Sequence, residues 1–255
     1  MNRFNFFKKI IFSFRRPKII IVGGRGRQTT AEALFCVLKK NFRVEKLNEK
    51  FPNIFDIYKK DILILETELT KSTPVEKVNF LVQKSQLPIL VITHFGDIPP
   101  AAHSSEPRPQ SGRDKDFFAG DEKDVTQFKK LAKILPAQGH IILNFDDETV
   151  REIKEETNLR DYNPPTTPSH ILTFGFQEGA DFQATDIKLN SGTNFKINYK
   201  GNSVPIWLEK LFGKEQIYSA LAAAAVGTIF DLNLVEISNI LRNHQSSLSR
   251  EYQGK

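Results

Sequence analysis

A single cysteine in 255 residues, Cys36, excludes an internal disulfide framework and fits a reducing compartment such as the cytoplasm. It lies among Leu34, Phe35, Val37 and Leu38 and reads as core filling. No apolar run approaches the ~20 residues that a membrane-spanning helix needs. A signal peptide is not expected, because Lys8-Lys9 breaks the first apolar stretch and no small-residue cleavage site follows. Internal repeats are absent. No nucleic-acid reader motif or aromatic–basic platform is present, so nucleic acid is not an expected partner. The net charge of +6 and pI of about 9.2 therefore point to phosphates, acidic partners or anionic lipid without choosing among them.

What is present begins with a basic N-terminal segment, residues 1–16. Phe4, Phe7, Ile10, Ile11 and Phe14 recur at helical spacing among Arg3, Lys8, Lys9, Arg15 and Arg16. Such a helix either packs on the following domain or rests on anionic lipid as a peripheral contact. Pro17 ends it. Lys18 to Val22 is a short β-branched run of the buried parallel-strand kind. It leads into Gly23-Gly24-Arg25-Gly26-Arg27-Gln28-Thr29-Thr30 and a helix from Ala31 to Lys40, the order of a phosphate-binding turn.

Further strands are expected at Phe42–Leu47, Asp61–Leu65, Pro88–Thr93 and Ile141–Leu143, alternating with helices. That alternation predicts an α/β fold with a mostly parallel sheet flanked by helices. Ile171–Phe176, Phe182–Leu189 and Asn194–Tyr199 alternate in polarity and predict a smaller antiparallel sheet. The proline- and serine-rich stretch from Asp97 onward reads as a mobile loop insert, residues 97–120, before a helix from about Asp121 to Leu135. Helices Lys214–Phe230, with an alanine-rich face, and Leu234–Asn243 close the pattern.

The same residues carry a second nucleotide pattern. Gly24-x-Gly26 after a strand, with Glu45 about twenty residues on, matches part of a dinucleotide-binding fingerprint, although Thr29 stands at its third glycine.

Taken in order, the motifs resemble those of the Mur ligases and their folylpolyglutamate synthase relatives. Gly23 to Thr29 is similar to a short P-loop of the form Gly-x-x-Gly-Lys-Thr-Thr. Asp61 to Glu66 resembles a strand ending in a metal-binding glutamate, and Val91 to Gly96 an Ile-Thr-Asn-Ile-Gly motif. Leu135-Pro136 with Gly139, then Asn144 with Asp146-Asp147, resembles Leu-Pro-x-x-Gly followed by Asn-x-Asp-Asp. Thr173-Phe174-Gly175 and Gly213 to Ala223 complete the series. Within the family the pattern most resembles the ligases that add D-alanyl-D-alanine to a UDP-muramoyl tripeptide.

The resemblance implies a P-loop NTPase-like central domain over residues 17–247. It reads residues 248–255, with Ser249-Arg250, as a remnant of the junction to a C-terminal domain. It implies ATP and Mg²⁺ as cofactors and a protein partner supplying the amino-terminal and carboxy-terminal domains. The implied reaction forms an acyl phosphate from a carboxylate and ATP, which an amine then resolves. Both steps build negative charge that cations must stabilise.

Within this pattern the nucleotide residues are Gly23, Gly24, Arg25, Gly26, Arg27, Gln28, Thr29 and Thr30, with Asn144, Asp147 and Gln216 toward base and ribose. Glu66 and His94 are the candidate metal residues. Several positions depart from the family. Arg27 replaces lysine, and a planar guanidinium does not substitute for a compact ammonium in a tight loop. Gln28 replaces the magnesium-binding hydroxyl, unless Thr29 or Thr30 shifts in. Pro99 stands where a metal-binding histidine falls, with His103 nearby; Phe128 stands at the carbamylated lysine, beside Lys129 and Lys130; and Glu215 replaces histidine.

Each lost transition-state donor typically costs ~100- to 1000-fold in rate. The expectation is a catalytically impaired pseudo-ligase, a binding or scaffold module linked to peptidoglycan precursor synthesis in the cytoplasm. The alternatives are a divergent ATP-dependent acid–amino-acid ligase needing partner domains, and a dinucleotide-binding Rossmann-like protein.

Overall fold

The computed structural model describes residues 3–48, 52–69, 75–96, 115–158 and 170–242. Its frame is a single nine-stranded sheet in the order β2-β3-β1-β4-β5-β6-β7-β8-β9. The strands β1 (Lys18–Gly23), β2 (Val44–Asn48), β3 (Ile62–Glu66), β4 (Pro88–Ile92), β5 (His140–Asn144) and β6 (His170–Gly175) are all parallel. β7 (Phe182–Leu189), β8 (Gly192–Tyr199) and β9 (Asn202–Glu209) form an antiparallel wing.

The expected antiparallel region thus exists, but it continues the main sheet. A short parallel pairing of β6 with β7 at Phe174–Phe182 and Gly175–Gln183 makes the join. β6 itself, grouped with the antiparallel strands on polarity, pairs parallel with β5 because its inner end is buried on both faces. The strand β9 had no sequence signal, since Pro205 and the polar Asn202-Ser203 mask it.

The β-branched runs of β1, β3 and β4 are buried on both sides, which divides their side chains between two cores. Ile20, Val22, Ile64 and Val91 face α2 (Arg27–Leu38), α7 (Lys214–Ile229) and α8 (Leu234–Arg242). Ile19, Ile21, Leu65 and Ile92 face the other layer. That layer holds α1 (Arg3–Arg15), α3 (Ile54–Lys59), α4 (Val75–Lys84), α5 (Lys115–Lys133) and α6 (Glu148–Asn158). Helix α5 begins at Lys115, several residues before the expected start near Asp121. The rest of the expected loop, from Asp97 to Asp114, lies outside the described residues, as do Pro99, His103 and the segment 248–255.

Helix α1 packs its Phe12 into the second core, 5.9 Å from the Phe80 ring centroid, so the packed reading of this helix holds for that face. Cys36, expected to fill the core, is instead half-buried on α2, where burial, opposed by Lys39, pushes its thiol pKa up. No helix among the described residues is long and apolar enough to cross a membrane.

The order of the strands fixes where a ligand can sit. The chain runs from β1 outward to β2 and back to β3, then crosses β1 to reach β4. The switch point is therefore the crevice beyond the carboxyl ends of β1 and β4, the usual binding place in open α/β sheets.

Away from that crevice, His140 and His170 are register partners at the start of β5 and β6, with ring centroids 5.1 Å apart. Burial, and then the neighbouring His170, hold the His140 pKa below the ordinary histidine value. The unfolded chain therefore binds this proton more tightly than the folded one. The resulting stability is present above pH ~6.5 and is lost as pH falls. Thermal denaturation between about pH 7.5 and about pH 5 checks this. Wild type should lose stability steadily, and His140→Gln should flatten that part of the profile.

Candidate functional site

At the switch point the chain turns sharply from β1 into α2. Gly24 and Gly26 hold φ of 90° and 74°, values that side-chain-bearing residues rarely adopt. Space demands glycine as well. A Cβ on Gly24 would lie 2.6 Å from the Thr93 hydroxyl and 2.7 Å from the His94 carbonyl oxygen.

The loop lies this close because β4 grips it. The Arg25 N–H donates to the His94 carbonyl at 2.7 Å, and the Thr93 N–H to the Gly23 carbonyl at 3.0 Å. The Thr93 hydroxyl, itself buried, reaches both the Gly23 carbonyl at 2.9 Å and the Arg25 carbonyl. Helix α2 starts at Arg27, so its first-turn amides and the positive end of its dipole face the crevice.

The side chains around this cradle are engaged with the protein itself. The Arg27 guanidinium donates to the Gly24 carbonyl at 3.3 Å and forms an ion pair with Glu68, just beyond β3. Gln28 is exposed, whereas Thr29 and Thr30 are buried. The Thr29 hydroxyl donates to Glu215 Oε1 at 2.7 Å, and the Thr30 hydroxyl shares a 3.1 Å hydrogen bond with Ser219. Both hydroxyls thus face α7, and neither has shifted into the position that Gln28 leaves without a hydroxyl. Glu215 also lies over the loop, with its Cγ 3.0 Å from where a Gly26 Cβ would be.

Below the loop, Phe128 stands where the resemblance implies a carbamylated lysine. It is fully buried, packs tilted against Phe95 with ring centroids 5.8 Å apart, and occupies the space a Gly23 side chain would need. The neighbouring Lys129 points to α6, where its ammonium pairs with Glu152 at 3.0 Å.

Glu66 and His94 do not converge. Glu66 pairs across Val22 on the β3 side of β1, and His94 follows β4 on the other. The two strands lie roughly 10 Å apart, too far for one ion. Burial raises the Glu66 pKa, opposed by Lys46 at 3.8 Å and reinforced by Glu32. Among the described residues no group of three or more His, Cys, Asp or Glu can hold a metal. With Phe128 in place of an oxygen ligand, these residues do not fit the metal set that the resemblance implies.

The loop after β5 is built from carboxylates that take main-chain amides. Asp147, expected near ribose or base, accepts from Phe95 N–H at 2.7 Å, Gly96 N–H at 3.2 Å and Val150 N–H at 3.1 Å. It clasps the end of β4 to the start of α6. Asn144 is buried and accepts the Asp146 N–H at 2.9 Å. Gln216 is half-buried on the first turn of α7.

Sequence reasoning passed over Asp146, which accepts from Phe176 N–H at 2.7 Å, Gln177 N–H at 3.0 Å and the Tyr218 hydroxyl at 2.9 Å. Burial, and then the Asp146 charge, raise the Tyr218 pKa, so the phenol stays protonated and donating. Thr93 and Glu68 were also passed over. Thr93 was visible only as part of a motif, and Glu68 had no local signal.

The dinucleotide reading loses its acidic residue. Glu45 is near the start of β2 rather than its carboxyl end, and its carboxylate pairs with Lys60 at 2.7 Å.

Residues 115–227 match the Mur ligase middle domain. The chain is 30% identical over 132 residues to the UDP-N-acetylmuramate–L-alanine ligase of Hydrogenobaculum sp., covering 51% of this chain and 27% of that protein. It is 26% identical over 125 residues to the ligase of the same name from Alkaliphilus metalliredigens, covering 48% and 25%. The chain therefore spans about a quarter of the length of these relatives. Among solved structures, the MurF ligase of Thermotoga maritima in complex with ADP superimposes with a TM-score of 0.67 at 16% identity, covering 96% of this chain and 52% of that one. The UDP-N-acetylmuramoylalanyl-D-glutamyl-2,6-diaminopimelate–D-alanyl-D-alanyl ligase of Acinetobacter baumannii gives 0.65 at 18% identity, covering 94% and 50%. The strand order, the cradle between β1 and β4 and these superpositions give the chain the fold of a Mur ligase middle domain, and residues 115–227 match that family.

Proposed function

We propose that the chain is the nucleotide-binding middle domain of a divergent ATP-dependent carboxylate–amine ligase of the UDP-muramoyl-peptide type. It works in the cytoplasm with further domains that bring the two substrates together. The observation that carries this reading is the main-chain cradle. Gly24 and Gly26 keep their left-handed geometry, and the first turn of α2 aims its amides at the crevice.

Amides and a helix dipole bind phosphate oxygens without a side chain, so the loss of the family lysine weakens the site but does not remove it. Arg27 supplies a cation once it leaves Glu68. Magnesium enters as the Mg–ATP substrate, and no step is assigned to a second, protein-held metal, because Phe128 offers it no ligand. In the reaction the substrate carboxylate attacks the γ-phosphorus and ADP leaves; the amine then attacks the acyl carbon and phosphate leaves. The residues of this chain hold the nucleotide, and the acceptor and amine come from elsewhere.

A second reading is a pseudo-ligase, a binding or scaffold module in which nucleotide chemistry is impaired. The specific observation in its favour is that Glu215, a carboxylate, sits on Thr29 beside the phosphate loop. Its charge opposes a triphosphate at close range.

Two experiments separate the readings. Thermal unfolding of the full chain with saturating Mg–ATP or Mg–ADP should show a shift worth ~2.7 kcal/mol at a hundredfold excess over Kd. Glu215→Gln keeps the acceptor for Thr29 and removes the charge, so its affinity for Mg–ATP should rise about tenfold. No shift in either protein eliminates the ligase and leaves the scaffold. Phosphate release is then followed with a UDP-muramoyl peptide and an amino acid, alone and with candidate partner domains. Release matched by amide formation establishes the ligase, whereas binding without release leaves the scaffold.

A further inference from the structure

Helix α1 carries two apolar faces, and the fold uses one. Phe12 is fully buried and Ile11 is packed against the second core. Phe7, Ile10 and Phe14, spaced three and four apart, form a different stripe and are 59%, 48% and 92% exposed. Helix α3 packs against α1 and repeats the arrangement. Its Ile57 is buried, while Phe55 and Tyr58 are 72% and 70% exposed. Among the described residues, most of the large exposed apolar side chains on this side of the sheet therefore belong to two neighbouring helices.

The charge around them is mostly positive, with Arg15 paired to Asp61 at 3.9 Å. Helix α1 has no acidic residue and carries Lys8, Lys9 and Arg15, with Arg16 following. Lys59 lies 5.7 Å from the centre of the Phe55 ring. The nearby carboxylates are already engaged. Asp61 accepts from the Arg43 guanidinium at 2.8 and 3.0 Å, which holds its pKa below the usual carboxylate value. Asp56 closes the capping box with Asn53 at the start of α3.

We propose that α1 and α3 form a docking surface for an anionic lipid bilayer. Exposed aromatic tips beside lysine and arginine suit the headgroup boundary, where an in-plane amphipathic helix buries its apolar stripe and its cations meet lipid phosphates. The cores of protein interfaces, in contrast, are depleted of lysine. The surface is on the opposite side of the sheet from α2 and α7, so docking leaves those two helices uncovered. The proposal stands apart from the nucleotide reading.

The test is flotation of the full chain with vesicles of phosphatidylcholine alone or with about one third phosphatidylglycerol. Binding to the anionic vesicles should exceed that to the neutral ones at least tenfold and fall several-fold between about 0.1 M and about 0.5 M salt. Joint replacement Phe7→Ser, Ile10→Ser and Phe14→Ser should reduce it at least tenfold with an unchanged melting temperature. Phe55→Ser with Tyr58→Ser, on a separate helix, gives an independent loss should the first variant fold poorly. Equal binding to both vesicles, no binding to either, or full binding by a folded variant overturns the proposal. So does a concentration-dependent dimer that the same replacements abolish, because a second copy would then be the occupant.

Discussion

The close packing of α7 on α2 is the contact on which the candidate site depends. From Ala220 to Ala225 the buried residues of α7 are, with one leucine, all alanine, and α2 meets them with Ala31, Ala33, Leu34 and Val37. Small side chains let the two backbones approach. Near the far end Gly227 leaves room for Ile237 and Val37, whose side chains would lie 2.7 and 3.2 Å from a Cβ there. At the near end the same approach brings Glu215 onto Thr29 and Ser219 onto Thr30. The polar content of the cradle is therefore set by a helix more than 180 residues away in sequence, acting through an apolar contact.

The cradle keeps its main-chain form while its surroundings have changed. Thr93, His94 and Asp147 fix the backbone of three loops against one another, and none of these bonds needs a ligand. The side chains around it are engaged internally, Arg27 by Glu68 and Thr29 by Glu215, while Phe128, at the position the resemblance gives to a carbamylated lysine, packs on Gly23 and Phe95. A buried phenylalanine in that layer adds apolar contact where a charged ligand would have required compensation. Stability and nucleotide chemistry thus make different demands on the same few residues.

Much of the frame was legible because it is written in local terms. Continuous β-branched runs marked β1, β3 and β4, and Gly23 to Gly26 after β1 marked the turn. The extent of the antiparallel wing was less legible. β9 contains Pro205, and β6 passes from exposed at His170 to buried at Phe174, so neither shows one clean period. At the site, the residue types were legible and their engagements were not. Nothing near Glu66 in sequence reveals Lys46 on the adjacent strand, and nothing near Asp147 reveals that three amides from two segments converge on it. Glu66 and His94, the two candidate metal residues, lie on strands with β1 running between them, a separation that only the topology shows.

On the reading proposed above, the main-chain cradle binds a triphosphate once Glu215 moves aside. A crystal structure of the full chain with magnesium and a non-hydrolysable ATP analogue tests it most directly. Phosphate oxygens should lie on the amides between Gly24 and Gln28, with the Glu215 carboxylate turned away from Thr29. A saturating analogue that leaves the loop empty and Glu215 bonded to Thr29, or that binds elsewhere on the domain, would contradict it.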